Sequence, residues 1–397
     1  MPERYVYADN AATTKVSQTA LEAMLPYLTQ NYANPSAIYK SAREAAGALL
    51  RARETCAKAL GAKRAGEIYF TSCGTESDNW ALRGGAQLGA ALGKRHIITT
   101  AIEHPAVLRT CEYLEGQGFE VTYLPVSNDG FVTCEQVAAA IRQDTALVSV
   151  MFANNEIGTI QPIKEIGAVC HEKGVLFHTD AVQAVGNIKI DVQELGIDML
   201  SLSGHKIHAP KGIGLLYCRG NLALPSLIFG GSQERGRRAG TENVAYISAL
   251  AAALEEAVRT IDERWERVLA LRRRLTQGLL EIDKTCLNGS EENRLAGNAN
   301  ISFPGLEGES LLLALDMQGI AASSGSACSS GSLEASHVLK AIGRSDEMAN
   351  SAVRFTLNED NTEEEIDYIL KTVPQVVDRL RSMSPYWQRI VNEESTK

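Results

Sequence analysis

The sequence predicts an α/β fold: a mostly parallel, seven-stranded sheet flanked by helices, with a smaller α+β domain beside it. Three observations carry this expectation. Short apolar runs alternate with helix-period stretches between residues 67 and 218. One long helical stretch, 244–283, follows them. Beyond it, strands and helices succeed one another in a different order. Alternation of the first kind needs crossovers of a single hand, and these lay down a parallel sheet with helices on both faces.

In chain order, Tyr5-Val-Tyr-Ala8 reads as a short strand, followed by the polar Asp9-Asn-Ala-Ala-Thr-Thr14. Leu21, Met24, Leu25 and Leu28 share one stripe of a helix over 17–29. Asn34-Pro35-Ser36 is a turn, and an Ala-, Arg- and Leu-rich helix covers 41–60 up to Gly61. Strands are expected at 67–70, 96–100, 120–125, 146–152, 175–179, 198–202 and 213–218, with helices at 77–90, 105–116, 134–142 and 161–173. The stretch 244–283 reads as one helix joining two domains. After it come strand 298–303, helix 309–317, a Gly/Ser loop at 323–332, helix 333–342, strand 351–357 and helix 362–381.

With 397 residues the chain has room for a large core and two domains. A net charge of −9 argues against nucleic acid or a membrane surface as the main partner. No apolar run reaches the roughly 18 residues that span a bilayer. Met1-Pro-Glu-Arg-Tyr5 lacks the basic and apolar regions of a secretory signal, so a cytoplasmic location is expected. None of the eight cysteines forms a CxxC pair, which excludes a contiguous zinc ribbon. Cys56, Cys111, Cys170 and Cys218 stand in apolar contexts and read as small buried thiols.

Candidate chemistry collects where strands end, and ligands of open α/β sheets gather there. Lys206 follows the strand 198–202, between Ser203-Gly-His205 and a Pro/Gly-containing turn. A desolvated lysine loses its proton easily and can form a Schiff base with a carbonyl cofactor; a solvated loop lysine is the plainer alternative. Asp180 ends the strand some 25 residues earlier. A carboxylate for a pyridinium nitrogen and a Schiff-base lysine are together what pyridoxal phosphate asks of a protein. Gly74 and Thr75 lie between a strand and a helix start, where free amides suit a phosphate or Thr75 merely caps the helix. His104, before the helix-opening Pro105, can stack on a flat ring or move protons, or be an ordinary structural histidine. Asn155 follows the strand 146–152. Cys328 stands in the Gly/Ser loop, a composition typical of linkers, yet an exposed thiol is a liability unless it is used. The basic run Gln233-Glu-Arg-Gly-Arg-Arg-Ala-Gly-Thr241 is either a solvated face or a contact for phosphate or a partner.

Thr71-Ser-Cys-Gly-Thr-Glu-Ser-Asp78, Glu103-His-Pro-Ala106, Asn154-Asn-Glu156, His178-Thr-Asp-Ala-Val-Gln183, Ser203-Gly-His-Lys206, Arg238-Ala-Gly-Thr241 and Ser323-Ser-Gly-Ser-Ala-Cys328 occur in that order. Together they resemble the cysteine desulfurases, pyridoxal-phosphate enzymes of the class V aminotransferase superfamily. Details such as Cys-Gly-Thr-Glu look closest to the nitrogenase-associated branch of iron–sulfur assembly, and the cysteine loop is of the long type. The resemblance implies pyridoxal-phosphate fold type I, with a large cofactor domain at 16–262 and a small domain of 1–15 and 263–397 carrying the Cys328 loop. It makes Lys206 the Schiff-base lysine, Asp180 the partner of the pyridine nitrogen, Gln183 a donor to the ring oxygen and His104 the residue stacked on the ring. Gly74, Thr75, Ser203 and His205 then hold the phosphate, joined by Thr241 of the neighbouring subunit, and Asn155 lies beside the ring. Asn34 and Arg354 would grip the substrate carboxylate. Cys328 would take sulfur from L-cysteine as a persulfide, leaving L-alanine, and is the residue a transient iron–sulfur cluster would use as a ligand. A homodimer and an iron–sulfur scaffold or other sulfur acceptor are implied partners; selenocysteine lyase or another enzyme of the class V aminotransferase superfamily is the alternative activity. Two positions depart from the pattern: Ala8 where Leu is usual, and Ala33 where Gly commonly precedes Asn-Pro.

Overall fold

A computed structural model describes residues 4–220, 222–324 and 335–395. The chain opens with the two-residue strand β1 (Val6–Tyr7) and helices α1 (Gln18–Thr29) and α2 (Lys40–Ala59). Ser17 starts α1, its hydroxyl accepting from the Ala20 amide. Seven strands then appear: β2 (Ile68–Thr71), β3 (His96–Thr100), β4 (Glu120–Leu124), β5 (Thr145–Ser149), β6 (Leu176–Asp180), β7 (Met199–Ser203) and β8 (Gly214–Cys218). Between them run α3 (Gly74–Ala90), α4 (Pro105–Glu115), α5 (Cys134–Ala140) and α6 (Ile163–Glu172). Each element sits within a few residues of its expected bounds.

The seven strands form one sheet in the order β2-β8-β7-β6-β5-β3-β4. All run parallel except β8, which is antiparallel to both neighbours. The reason is the connection. Only residues 204–213 separate β7 from β8, too few for a helical crossover, so the chain returns antiparallel. β2, β3, β5, β7 and β8 are buried at every residue, which requires cover on both faces, whereas the edge strand β4 is half exposed. Helix α3 lies so close to β5 that a Cβ on Gly89 would stand 2.2 Å from the Ala146 Cβ.

The stretch expected as one helix is two. A four-residue turn, α7 (Gln233–Gly236), precedes α8 (Val244–Arg259), and α9 (Ile261–Leu280) follows a break at Thr260. Thr260 leaves the helical ψ, and its hydroxyl returns to the Glu256 carbonyl at 2.9 Å. Arg264 then fastens the bend. Its guanidinium binds the Thr260 hydroxyl and the Gly186 and Ala257 carbonyls, and pairs with Glu359 at 3.1 Å. Such local competition for backbone groups is invisible in apolar periodicity.

The remaining elements are β9 (Cys286–Leu287), β10 (Asn298–Ser302), α10 (Gly308–Met317), β11 (Ile320–Ala321), β12 (Ser323–Ser324), α11 (His337–Ala341), α12 (Asp346–Asn350), β13 (Ala352–Thr356), α13 (Glu363–Met383) and α14 (Pro385–Ser395). β12-β13-β10-β9 make an antiparallel sheet, and β1 pairs with β11. Val6, Val268, Leu275, Phe303, Phe355 and Ile369 share a core separate from that of the large sheet. Two expectations need correction here. Ser323 and Ser324, read as loop, pair with Arg354 and Val353 of β13. The helix expected at 333–342 covers only His337–Ala341 of the described residues, because Ser336 is its cap.

Candidate active site

The carboxyl ends of β2, β3, β5, β6 and β7 open onto one cavity of about 340 Å³. Gly74, Thr75, His104, Asn155, Asp180, Gln183, Ser203, His205, Lys206 and Arg354 all line it. Ten positions spread over nearly 300 residues of sequence thus meet at one place. Asn34 and Thr241 do not line it. Both are exposed on this chain, and the Asn34 side-chain Oδ1 accepts from the Ser36 amide at 2.9 Å. Cys328 lies outside the described residues.

Lys206 ends the tight turn after β7, and its ammonium donates to the carbonyls of Ala11 and Ala12, the latter at 2.8 Å. Gln183 also donates to the Ala11 carbonyl, at 3.0 Å. The polar segment after β1 is therefore laid across the cavity, a closure between residues some 190 apart that sequence reading did not foresee. Asp180 caps the turn beyond β6, its Oδ1 accepting from the Val182 amide at 2.9 Å. Burial pushes its carboxyl above the usual range, against the nearby His104 ring, that hydrogen bond and Lys206. His104 caps α4: its Nδ1 accepts from the Ala106 amide at 3.1 Å, which places the ring proton on Nε2.

At the end of β2, α3 starts at Cys73 with no side-chain cap. The amides of its first turn are open, and Gly74 and Thr75 face the cavity. A Cβ on Gly74 would stand 2.7 Å from Val182 Cγ2, so this turn sits hard against the segment bearing Asp180 and Gln183. Ser203 and His205 close the same corner. His205 meets the Thr13 hydroxyl at 3.1 Å, and burial followed by the Lys206 and Lys211 charges holds its pKa down at about 4, so the ring is neutral at pH 7. Hydroxyl, amide and neutral imidazole donors at a helix N-terminus are the chemistry of a phosphate site.

Arg354 enters from the second sheet, only 2 % exposed. It donates to the Asn155 carbonyl at 2.9 Å and pairs with Asp9 at 2.9 Å, while its Nε has no partner among the described residues. Beside it, Ser336 and His337 dock on the rim: the Ser336 hydroxyl donates to Glu156, and His337 Nε2 to the Glu103 carbonyl at 3.0 Å. Asp78 was missed as a site residue. It reads as one more polar residue of a helix start, yet it lines the cavity floor.

The donor set fits pyridoxal phosphate: an amine, a buried carboxylate, an imidazole and an open helix N-terminus line one cavity. The aminotransferase class-V family pattern matches residues 6–369 of the chain. Among curated proteins, a cysteine desulfurase IscS of Methanosarcina thermophila is 55% identical over 380 residues, covering 96% of this chain and 94% of its own. The cysteine desulfurase NifS of Azotobacter vinelandii is 48% identical, with 96% and 95% covered. Among solved structures, a NifS-like protein matches with a TM-score of 0.89 at 40% identity, covering 95% of this chain and all of that one. SspA in complex with cysteine matches with a TM-score of 0.79 at 40% identity, covering 88% and 98%.

Proposed function

The chain belongs to the aminotransferase class-V family, and from that premise we propose that it is a pyridoxal-phosphate-dependent cysteine desulfurase. It converts L-cysteine to L-alanine and passes the sulfur to Cys328 for iron–sulfur cluster assembly. The observation that carries this reading is the meeting of Lys206, Asp180 and the open start of α3 in one cavity.

The cofactor, when bound, withdraws electrons from the carbon next to the substrate's amine. Every other task falls to the protein. Lys206 Nζ would hold the cofactor's carbonyl carbon and, when free, would move the substrate Cα proton. Asp180 would accept the ring N–H, Gln183 would donate to the ring oxygen, and His104 would cover one face, with Asn155 beside it. Gly74, Thr75, Ser203, His205 and the α3 amides would hold the phosphate. Arg354, which lines the cavity, would take the substrate carboxylate. Asn34, exposed on this chain, would complete that grip only by movement or from another subunit. Cys328 Sγ forms a bond to the substrate sulfur as the carbon–sulfur bond breaks; the carbon skeleton takes up a proton and leaves as L-alanine. Residues 16–262 form the cofactor unit, and 1–15 with 263–397 the unit bearing Cys328. Cofactor-loaded protein given L-cysteine and a thiol should release alanine and sulfide in equal amounts. Sulfide without alanine would sink the reading.

A homodimer completes the site, with Thr241 reaching the neighbour's phosphate. Its support is three large apolar side chains left to water, Tyr32, Ile38 and Phe229, exposed at 77%, 91% and 86%. Sedimentation at micromolar concentration should give one species of twice the chain mass. A monomer with full activity would contradict it. The place of work is the cytoplasm, and among the described residues no helix is long and apolar enough to cross a membrane. An iron–sulfur scaffold protein, or another thiol-bearing acceptor, takes the sulfur onward.

A further inference from the structure

A second buried acid lies beside Asp180 in the cavity. Asp78, in the first turns of α3, is 1 % exposed. One of its oxygens lies within 4.8 Å of an Asp180 oxygen and of a His104 ring nitrogen. The Ser201 hydroxyl reaches its carboxyl. Its Oδ1, however, has no hydrogen-bond partner among the described residues, and stands 3.6 Å from His178 Nε2. His178 is already satisfied, meeting Ser149 Oγ at 2.9 Å and Ser201 Oγ at 3.0 Å. Burial holds its pKa down at about 3, so it stays neutral and brings no positive charge to the acid.

Two carboxyls this close and this deeply buried cannot both be ionised at tolerable cost, so one of them keeps a proton. The surroundings decide which. Asp180 has an amide donor and faces His104 and Lys206. Asp78 faces Asp180, Glu103 and Cys73, all acids, and burial first, then the Asp180 charge, pushes its carboxyl well above the usual range. An oxygen with no donor is costly as a carboxylate and natural as an O–H.

We propose that Asp78 is a positioning residue for the cofactor: a buried carboxylic acid whose O–H supports the Asp180 carboxylate where the ring nitrogen binds. The role rests on the pyridoxal-phosphate reading above. It assigns the negative charge at the ring nitrogen to Asp180 alone, and makes Asp78 a neutral donor behind it.

The test compares two neutral replacements of similar size. Asp78→Asn keeps a donor and should hold pyridoxal phosphate within about threefold of the parent, with the same visible absorbance across pH; Asp78→Leu keeps no donor and should bind about tenfold more weakly, with a shifted band. Equal losses in both variants would mean that a negative charge was needed, and no change in either would make Asp78 a bystander; each overturns the proposal. If Asp78→Leu does not fold, infrared difference spectra of cofactor-free protein and Asp78→Asn decide it. Loss of a protonated-carboxyl band supports the assignment, and loss of a carboxylate band overturns it. Because that measurement needs no cofactor, it separates failure of this proposal from failure of the cofactor reading.

Discussion

Cys328→Ser should bind cofactor and L-cysteine as the parent does, yet release sulfide and alanine on the order of 10³-fold more slowly. The cofactor can activate the substrate and Lys206 can move a proton, but neither can accept a sulfur atom. That step needs a polarisable nucleophile that keeps the sulfur, and a serine oxygen cannot form a persulfide. The other cysteines are poorly placed to substitute. Burial pushes the thiols of Cys56, Cys170 and Cys218 up to about 12 and raises Cys111 as well, so all four stay protonated. Cys73 is the one to watch, because it lines the cavity at the phosphate turn. Alkylation that stops turnover should mark residue 328 first. Near-normal sulfide release by Cys328→Ser, with loss in Cys73→Ser, would move the acceptor role to Cys73.

Lys206→Ala should lose the visible absorbance of bound cofactor and all measurable turnover, a drop on the order of 10³-fold or more. The corner formed by Thr75, Ser203 and His205 is left intact, so weak binding of free pyridoxal phosphate should persist. The substitution has a second effect that must be separated from the first. The Lys206 ammonium also ties down the Ala11 and Ala12 carbonyls, so its loss frees the segment laid over the cavity. Lys206→Arg keeps a cation there, within reach of the same carbonyls, but cannot perform the lysine's covalent role. It should melt closer to the parent than Lys206→Ala while remaining equally inactive. An unchanged spectrum in Lys206→Ala would refute the assignment.

Much of this was legible in the sequence, for identifiable reasons. Strands β2, β3 and β5 to β8 announce themselves because buried strands are short, apolar and punctuated by turn residues. Lys206, Asp180, His104 and Thr75 could be placed because each lies at or within a few residues of a strand's carboxyl end, and strand ends converge. What failed depended on groups far apart in the chain. The bend at Thr260 is set by Arg264 reaching Gly186 and Glu359. Ser323 and Ser324 have the composition of a loop, and only Arg354 and Val353 across from them make them a strand. Asp78 is an ordinary helix-start residue until Asp180 and His104 are folded around it. The exposure of Asn34 is likewise beyond sequence reading, since no local pattern says which way a turn faces.

The pairing of Ser323 with Arg354 sets a leash. Ser324 is held in the sheet next to the strand that carries the cavity's arginine, and Cys328 follows four residues later. A fully extended chain advances at most about 3.6 Å per residue, so the Cα of Cys328 stays within roughly 14 Å of that of Ser324. On the desulfurase reading proposed above, the thiol would work at a high local concentration, set by tether length and independent of how much protein is present. The same arithmetic would limit delivery. A sulfur acceptor would have to bring its own thiol to the cysteine, close to that radius.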